Sequence, residues 1–185
     1  MAEIQPFKGL RYNTKKVDLK TVITEPYDRI TPAMQEDYYK RSPYNIVRII
    51  LGRDNDPEHP EKDKYRRADL YLKQWEKEGF FIREGVKALY IYDQEFDLNG
   101  TSKKRRGLIA RVRLEEFASR KVLPHEKTFP KHKEDRLRLL RATNANTEQI
   151  FLLYADDNKK VGQAIGQALE KANLAADVQD EDRYR

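Results

Sequence analysis

Asp93-Gln94-Glu95-Phe96-Asp97-Leu98-Asn99-Gly100-Thr101-Ser102-Lys103-Lys104-Arg105-Arg106 sets the architecture of this chain. Two strand-like runs, Ala88 to Leu98 and Lys103 to Leu114, flank Asn99-Gly100. Asn-Gly between such runs is the strongest short-range hairpin signal, because both turn residues must take positive φ. A two-residue turn sets Asp93 opposite Arg106 and Glu95 opposite Lys104. Read alone, Lys103 to Arg106 looks like a nucleic-acid patch. Read across a hairpin, part of it is cross-strand charge matching, and we favour that reading. An antiparallel hairpin also excludes a purely parallel sheet.

Upstream of the hairpin, residues 4–13 read as a short strand and turn, with the Lys8-Gly9 amide a weak candidate for an anion contact. Val17 to Ile23 reads as extended, and Pro26 predicts a loop around Glu25 to Arg29. Thr31 has the character of an N-cap, with Pro32 at the first helical position of a helix to about Lys40. Ile46 to Leu51 is β-branched and nearly continuous, which predicts a buried strand. Gly52 to Pro60 reads as a polar loop holding a solvated His59. Asp63 to Glu78 is the clearest helix, with Tyr65, Ala68, Leu72 and Trp75 at helical spacing and Gly79 as its stop. Phe80 to Ile82 returns the chain to a strand.

Downstream, Glu134 and Asp135 open a helix with Arg136, Arg138 and Arg141 in its later turns, an order that suits the helix dipole. A Glu134–Arg138 pair and inward-facing Leu137 and Leu140 are expected on it. Ile150 to Tyr154 predicts a buried strand. Asn158 to Asn173 predicts an amphipathic helix with Val161, Ile165, Ala168, Leu169 and Ala172 inward. The order gives an α/β (α+β) domain over residues 1–176: a single mixed β-sheet with an antiparallel hairpin, flanked by helices. Residues 177–185 form a polar, frayed tail.

The chain has 185 residues, of which 38% are hydrophobic and 37% charged, so the surface is heavily charged and the core modest. Eleven tyrosines and patterned apolar segments argue against disorder. Cysteine is absent, which removes disulfides, thiolate metal sites and cysteine nucleophiles. No signal-peptide core or bilayer-length apolar run is present, so a cytoplasmic protein without membrane attachment is expected. The net charge of +6 admits phosphorylated partners or nucleic acid.

Candidate chemistry gathers in Leu123 to Asn146. Pro124 and Pro130 stiffen the ends of a loop that contains His125 and Glu126, two proton-transfer groups, and the Thr128 hydroxyl. Lys127, Lys131, Lys133, Arg136, Arg138 and Arg141 are suited to surrounding a phosphate beside a helix N-terminus. Phosphoryl transfer needs positioning, charge neutralisation and a base, and those residue types are present. The competing reading is structural: an Arg/Lys-rich helix with a solvated face, and a loop that His125 merely caps. The two stand level for His125 and Glu126, whereas His132 reads as exposed. Asp28, beside Arg29, has the character of a metal ligand or a general base, although such a pair is more often a loop hydrogen-bond anchor. There is no Gly-rich phosphate loop, dinucleotide fingerprint or zinc-helix motif, and no metal site is expected.

Four separated blocks then carry a resemblance. Pro6 to Tyr12, Pro26-Tyr27-Asp28, Ser42 to Arg48, and the stretch from Leu123 through Leu140-Arg141-Ala142-Thr143 to Asn144-Ala145-Asn146 resemble the domain-of-unknown-function 1015 family, in the same order over nearly the whole chain. The resemblance implies a small-molecule phosphotransferase, including one acting on free serine, and a distant similarity to the partition-protein and sulfiredoxin nucleotide-binding fold. It also implies an Ala-Asp-Gly-His-His-Arg-Tyr block that this sequence lacks, so the chain is expected to be the N-terminal part of a longer protein.

Two functional expectations follow. The first is a nucleotide-dependent kinase for a small hydroxyl substrate such as serine. In it His125 or Glu126, or less favourably Asp28, is the base. Lys127, Thr128, Arg136, Arg141 and Asn144 bind substrate or phosphate, and ATP or another nucleotide is bound with magnesium. The alternative is a non-enzymatic nucleic-acid- or nucleotide-binding regulatory module, or an inactive fragment. Nucleic acid is the less favoured partner, because the aromatics lie at core-like spacings.

Overall fold

A computed structural model describes residues 2–124 and 129–179. The strands are β1 (Ile4–Gln5), β2 (Leu10–Tyr12), β3 (Phe81–Arg83), β4 (Tyr90–Leu98), β5 (Thr101–Ile109) and β6 (Arg111–Val112). The helices are α1 (Leu19–Val22), α2 (Pro32–Arg41), α3 (Val47–Ile50), α4 (Lys64–Lys77), α5 (Pro130–Thr143) and α6 (Lys160–Leu169). The mixed α/β class is borne out. Among the described residues the strands pair two by two, however, as β1–β6, β2–β3 and β4–β5, all antiparallel, and not as one sheet.

The hairpin forms in the expected register. Asp93 faces Arg106 and Glu95 faces Lys104, and the turn residues Asn99 and Gly100 both have positive φ. Hydrogen bonds from Arg106, then from Lys104, hold the Asp93 carboxyl down at about 2. Half of the basic run is thereby committed to acids within the ribbon.

α4 is the centre of the fold. Asp63 caps it by accepting the Tyr65 and Arg66 amides, and Gly79 ends it at φ +75°. Its Ala68, Tyr71 and Trp75 are buried with Ile49, Phe81 and Leu139. Thr31 caps α2 through the Met34 amide and Pro32 opens it, and Tyr38 and Tyr39 pack with Val47 in a smaller cluster.

Several expected elements differ. Ile46 to Leu51 is a helical turn, α3, and not a strand. The Asn45 side-chain Oδ1 accepts the Val47 amide at 3.0 Å while its Nδ2 donates to the Thr21 carbonyl at 2.8 Å, which fixes the start of the turn. All four α3 residues are buried, so the apolar run has no exposed face from which a period could be read. Val17 to Ile23 contains α1, because Asp18 caps it by accepting the Lys20 amide at 3.0 Å. Leu137 and Leu140 are partly exposed and Leu139 is the inward leucine of α5. Arg138 places its guanidinium 4.4 Å from the Tyr65 ring rather than against Glu134. On α6 only Ile165 is buried. Ile150 to Tyr154 is neither a strand nor buried. His59 is half-buried, 5.8 Å from the Tyr71 ring, because the loop around it is anchored to the core.

The Gly9 amide serves the fold and not an anion: it donates to Tyr90 Oη at 2.7 Å. A Cβ at this position would lie 2.7 Å from the same oxygen. Gly9→Ala is therefore expected to displace Tyr90 from its contact with Phe7 and to lower stability by about 1–3 kcal/mol, as measured by urea unfolding.

Candidate functional site

The 3₁₀ turn Tyr27–Arg29 and helix α5 come together around Arg136. Its guanidinium lies 3.8 Å from the Tyr27 ring. Nη1 donates to Glu148 Oε1 at 3.1 Å, Nη2 to the Ile50 carbonyl at 2.8 Å, and Nε to Asp135 Oδ2 at 3.1 Å. Asp135 in turn accepts from Tyr65 Oη at 2.8 Å, and Lys64 Nζ stands 3.8 Å away. Arg136 thus ties α5 to the end of α3, to α4 through Asp135, and to the segment after α5 through Glu148. The His132 ring contacts Tyr27 edge-on at 5.8 Å and lies 6.2 Å from Phe129, the residue that precedes α5.

The electrostatics follow from this burial. Burial raises the Glu148 carboxyl above its ordinary value, and the neighbouring Asp28 and Asp135 charges add to that against the pull of Arg136. Burial would raise Asp135 too, but the hydrogen bonds from Arg136 and Tyr65 outweigh it and leave the carboxyl low. Burial, then the bond to Asp135, pushes the Tyr65 hydroxyl up to about 12. Burial likewise raises the Tyr27 hydroxyl, against Arg136. The centre is a clamped cation between two carboxylates, with a third, Asp28, close enough to be felt by both Tyr27 and Glu148.

Of the residues singled out from the sequence, His125, Glu126, Lys127 and Thr128 lie outside the described residues. Asp28 is exposed and has no hydrogen bond or ion pair among the described residues. Arg136 is at the centre, but its donors are mostly spent on protein acceptors. Arg141 is exposed and, among the described residues, without a partner. Asn144 is the left-handed stop of α5 at φ 50°, its amide donating to the Leu140 carbonyl at 2.8 Å. That accounts for an asparagine there, since it tolerates this conformation better than most residues. The sequence reading missed Tyr65, Asp135 and Glu148 as members of the cluster. Asp135 carried a helix-start signal only, and Glu148 carried none.

No group of three or more His, Asp or Glu side chains among the described residues is placed to hold a metal ion. Asp135 and Glu148 are engaged by Arg136, which leaves Asp28 as the carboxylate suited to a magnesium ion carried in by phosphates. The cavity of about 590 Å³ between residues 14–20 and 177–179 includes none of the Arg136 cluster in its lining. No helix among the described residues is long and apolar enough to cross a membrane.

A family model described as "Protein of unknown function (DUF1015)" matches residues 4–185. No curated protein and no solved structure matches the chain. Kinship with the partition-protein and sulfiredoxin fold therefore rests on the sequence resemblance alone.

Proposed function

The chain belongs to the DUF1015 family, whose description names no activity, and from that premise we propose that it serves a nucleotide-dependent phosphotransferase acting in the cytoplasm on a small hydroxyl compound such as free serine. The observation that carries the reading is the Arg136 clamp. It holds the start of α5, which follows residues 125–128 in the chain, beside Tyr27, with Asp28 near enough to act on Tyr27 and Glu148. In this scheme the substrate hydroxyl gives its proton to His125 or Glu126. Its oxygen bonds to the terminal phosphorus of the nucleoside triphosphate, the bond from that phosphorus to the bridging oxygen breaks, and the diphosphate leaves. Lys127, Thr128 and Arg141 neutralise and orient the phosphates, and Asp28 would hold a magnesium ion, which would supply positive charge to offset what develops on them. Arg136 becomes a positioning residue in place of a phosphate ligand, and Asn144 ends the helix in place of touching substrate.

The test is transfer of the terminal phosphoryl group from ATP to serine, followed by phosphoserine formation. His125→Ala or Glu126→Ala, whichever removes the base, is expected to cut turnover by about 10²–10⁴ with little change in KM. Full turnover in both variants would remove the loop from the chemistry. Absence of transfer by the wild-type protein would remove the reading itself.

A further inference from the structure

We propose that Ile150 to Tyr154 is a docking edge for an extended strand of another polypeptide, one that alternates apolar and acidic side chains. Three observations carry this. Ile150, Phe151, Leu152, Leu153 and Tyr154 are 84%, 54%, 40%, 78% and 59% exposed, an unbroken apolar run open to water. Among the described residues, none of their backbone amides or carbonyls takes part in a hydrogen bond. Exposed backbone of strand-forming sequence is what a β-strand adds to, main chain giving affinity and side chains giving selectivity.

The third observation is charge. By the strand register, Tyr92, Phe96, Leu98, Lys103 and Arg105 share one face of the β4–β5 ribbon, and no Asp or Glu of β4 or β5 does. The acids Asp93, Glu95 and Asp97 all project to the other face, where Lys104 and Arg106 meet Asp93 and Lys104 also meets Glu95. Arg105 lies 5.3 Å from the Phe151 ring, so this basic, aromatic face adjoins the unpaired run. Lys103 has no partner among the described residues, and Arg105 hydrogen-bonds only the neutral Gln94 there. The surface is apolar with cations of one sign, and its complement is a strand with carboxylates at alternate positions.

The experiment uses the whole chain and a short capped peptide of alternating valine and glutamate, with a valine–lysine peptide as control. Hydrogen exchange at the amides of residues 150–154 is expected to slow about tenfold with the acidic peptide, and less so at high salt, but not with the basic one. Leu152→Pro removes one of those amides, which has no bond among the described residues to lose, and is expected to abolish the protection with the helical signal intact. Arg105→Glu is expected to reverse the preference towards the basic peptide, which keeps the test open should the proline variant fail to fold. No protection by either peptide, or equal protection by both, would overturn the proposal. So would protection of the same amides without peptide in step with concentration-dependent dimerisation, since the occupant would then be a second copy of this chain.

Discussion

Replacing Arg67 with alanine is expected to lower the unfolding free energy by about 3–5 kcal/mol, a large fraction of what a domain of this size possesses. Arg67 is 1% exposed and Asp56 2%. Arg67 Nε stands 3.8 Å from Asp56 Oδ2, and that oxygen accepts no hydrogen bond. The remaining guanidinium donors hold the carbonyls of Lys62, Arg53 and Asp54, which are the two ends of the loop between α3 and α4. Removing the side chain leaves a buried carboxylate without its counter-charge and frees three carbonyls at once. The check is urea unfolding of Arg67→Ala, Asp56→Ala and the double variant. The double variant is expected to be more stable than the sum of the two losses implies, because the stranded carboxylate is gone from it. A single-variant loss under about 1 kcal/mol would show that the loop is not hung on this arginine.

That buried pair also shows where the sequence was legible and where it was not. Local signals with a mechanism came through: Asn99-Gly100 gave the hairpin and its register, Asp63 and Gly79 bounded α4, and Thr31-Pro32 opened α2. Each of these is settled by backbone dihedrals or a single side-chain bond within a few residues. What failed depends on long-range burial. Ile46 to Leu51 is helical because Asn45 is locked to Thr21, far back in the chain, and a run buried on all sides has no period to read. Ile150 to Tyr154 has the composition of a core strand but neither a ladder nor cover. Gly52 to Pro60 looked like solvated loop because nothing in its composition shows that Arg67 and Arg48 reach it from α4 and α3. The candidate site was half legible for the same reason. Arg136 was singled out from residue type and order and stands at the centre of the cluster, with Asp28 near it, whereas Arg141 and Asn144 make none of the cluster's contacts. Glu148 became visible only when folding set it against Arg136.

Arg136→Ala is expected to cost about 2–3 kcal/mol at neutral pH, and the loss is expected to shrink as the pH falls. In the wild-type protein three of its hydrogen bonds reach Glu148, Asp135 and the Ile50 carbonyl. Without the guanidinium, both carboxylates lose the group that favours their charged form, while burial, which opposes that form, remains. Their folded-state values must therefore rise relative to wild type. A carboxyl whose folded value lies above its unfolded one binds its proton more tightly when folded, so its ionisation withdraws stability as pH rises through the interval between the two values. For Glu148, already raised in the wild-type fold, that interval begins near its ordinary value and becomes wider in the variant. Asp135, held low in the wild-type fold, contributes stability that is present at neutral pH and lost in acid, and the variant forfeits it. Both effects have the same sign: the gap between wild type and Arg136→Ala is widest at pH 7 and narrows towards pH 4. Thermal unfolding of the two proteins across that range measures it, with Glu148→Gln in the Arg136→Ala background recovering part of the loss at pH 7 and little at pH 4. A pH-independent gap would mean that Arg136 acts through its contacts with Tyr27 and Ile50 alone. Since the same guanidinium fixes the start of α5, phosphotransfer by the variant should fall in kcat more than in KM under the proposed mechanism. Arg136→Lys, which restores charge without the planar fork, should regain the pH dependence of stability better than it regains turnover.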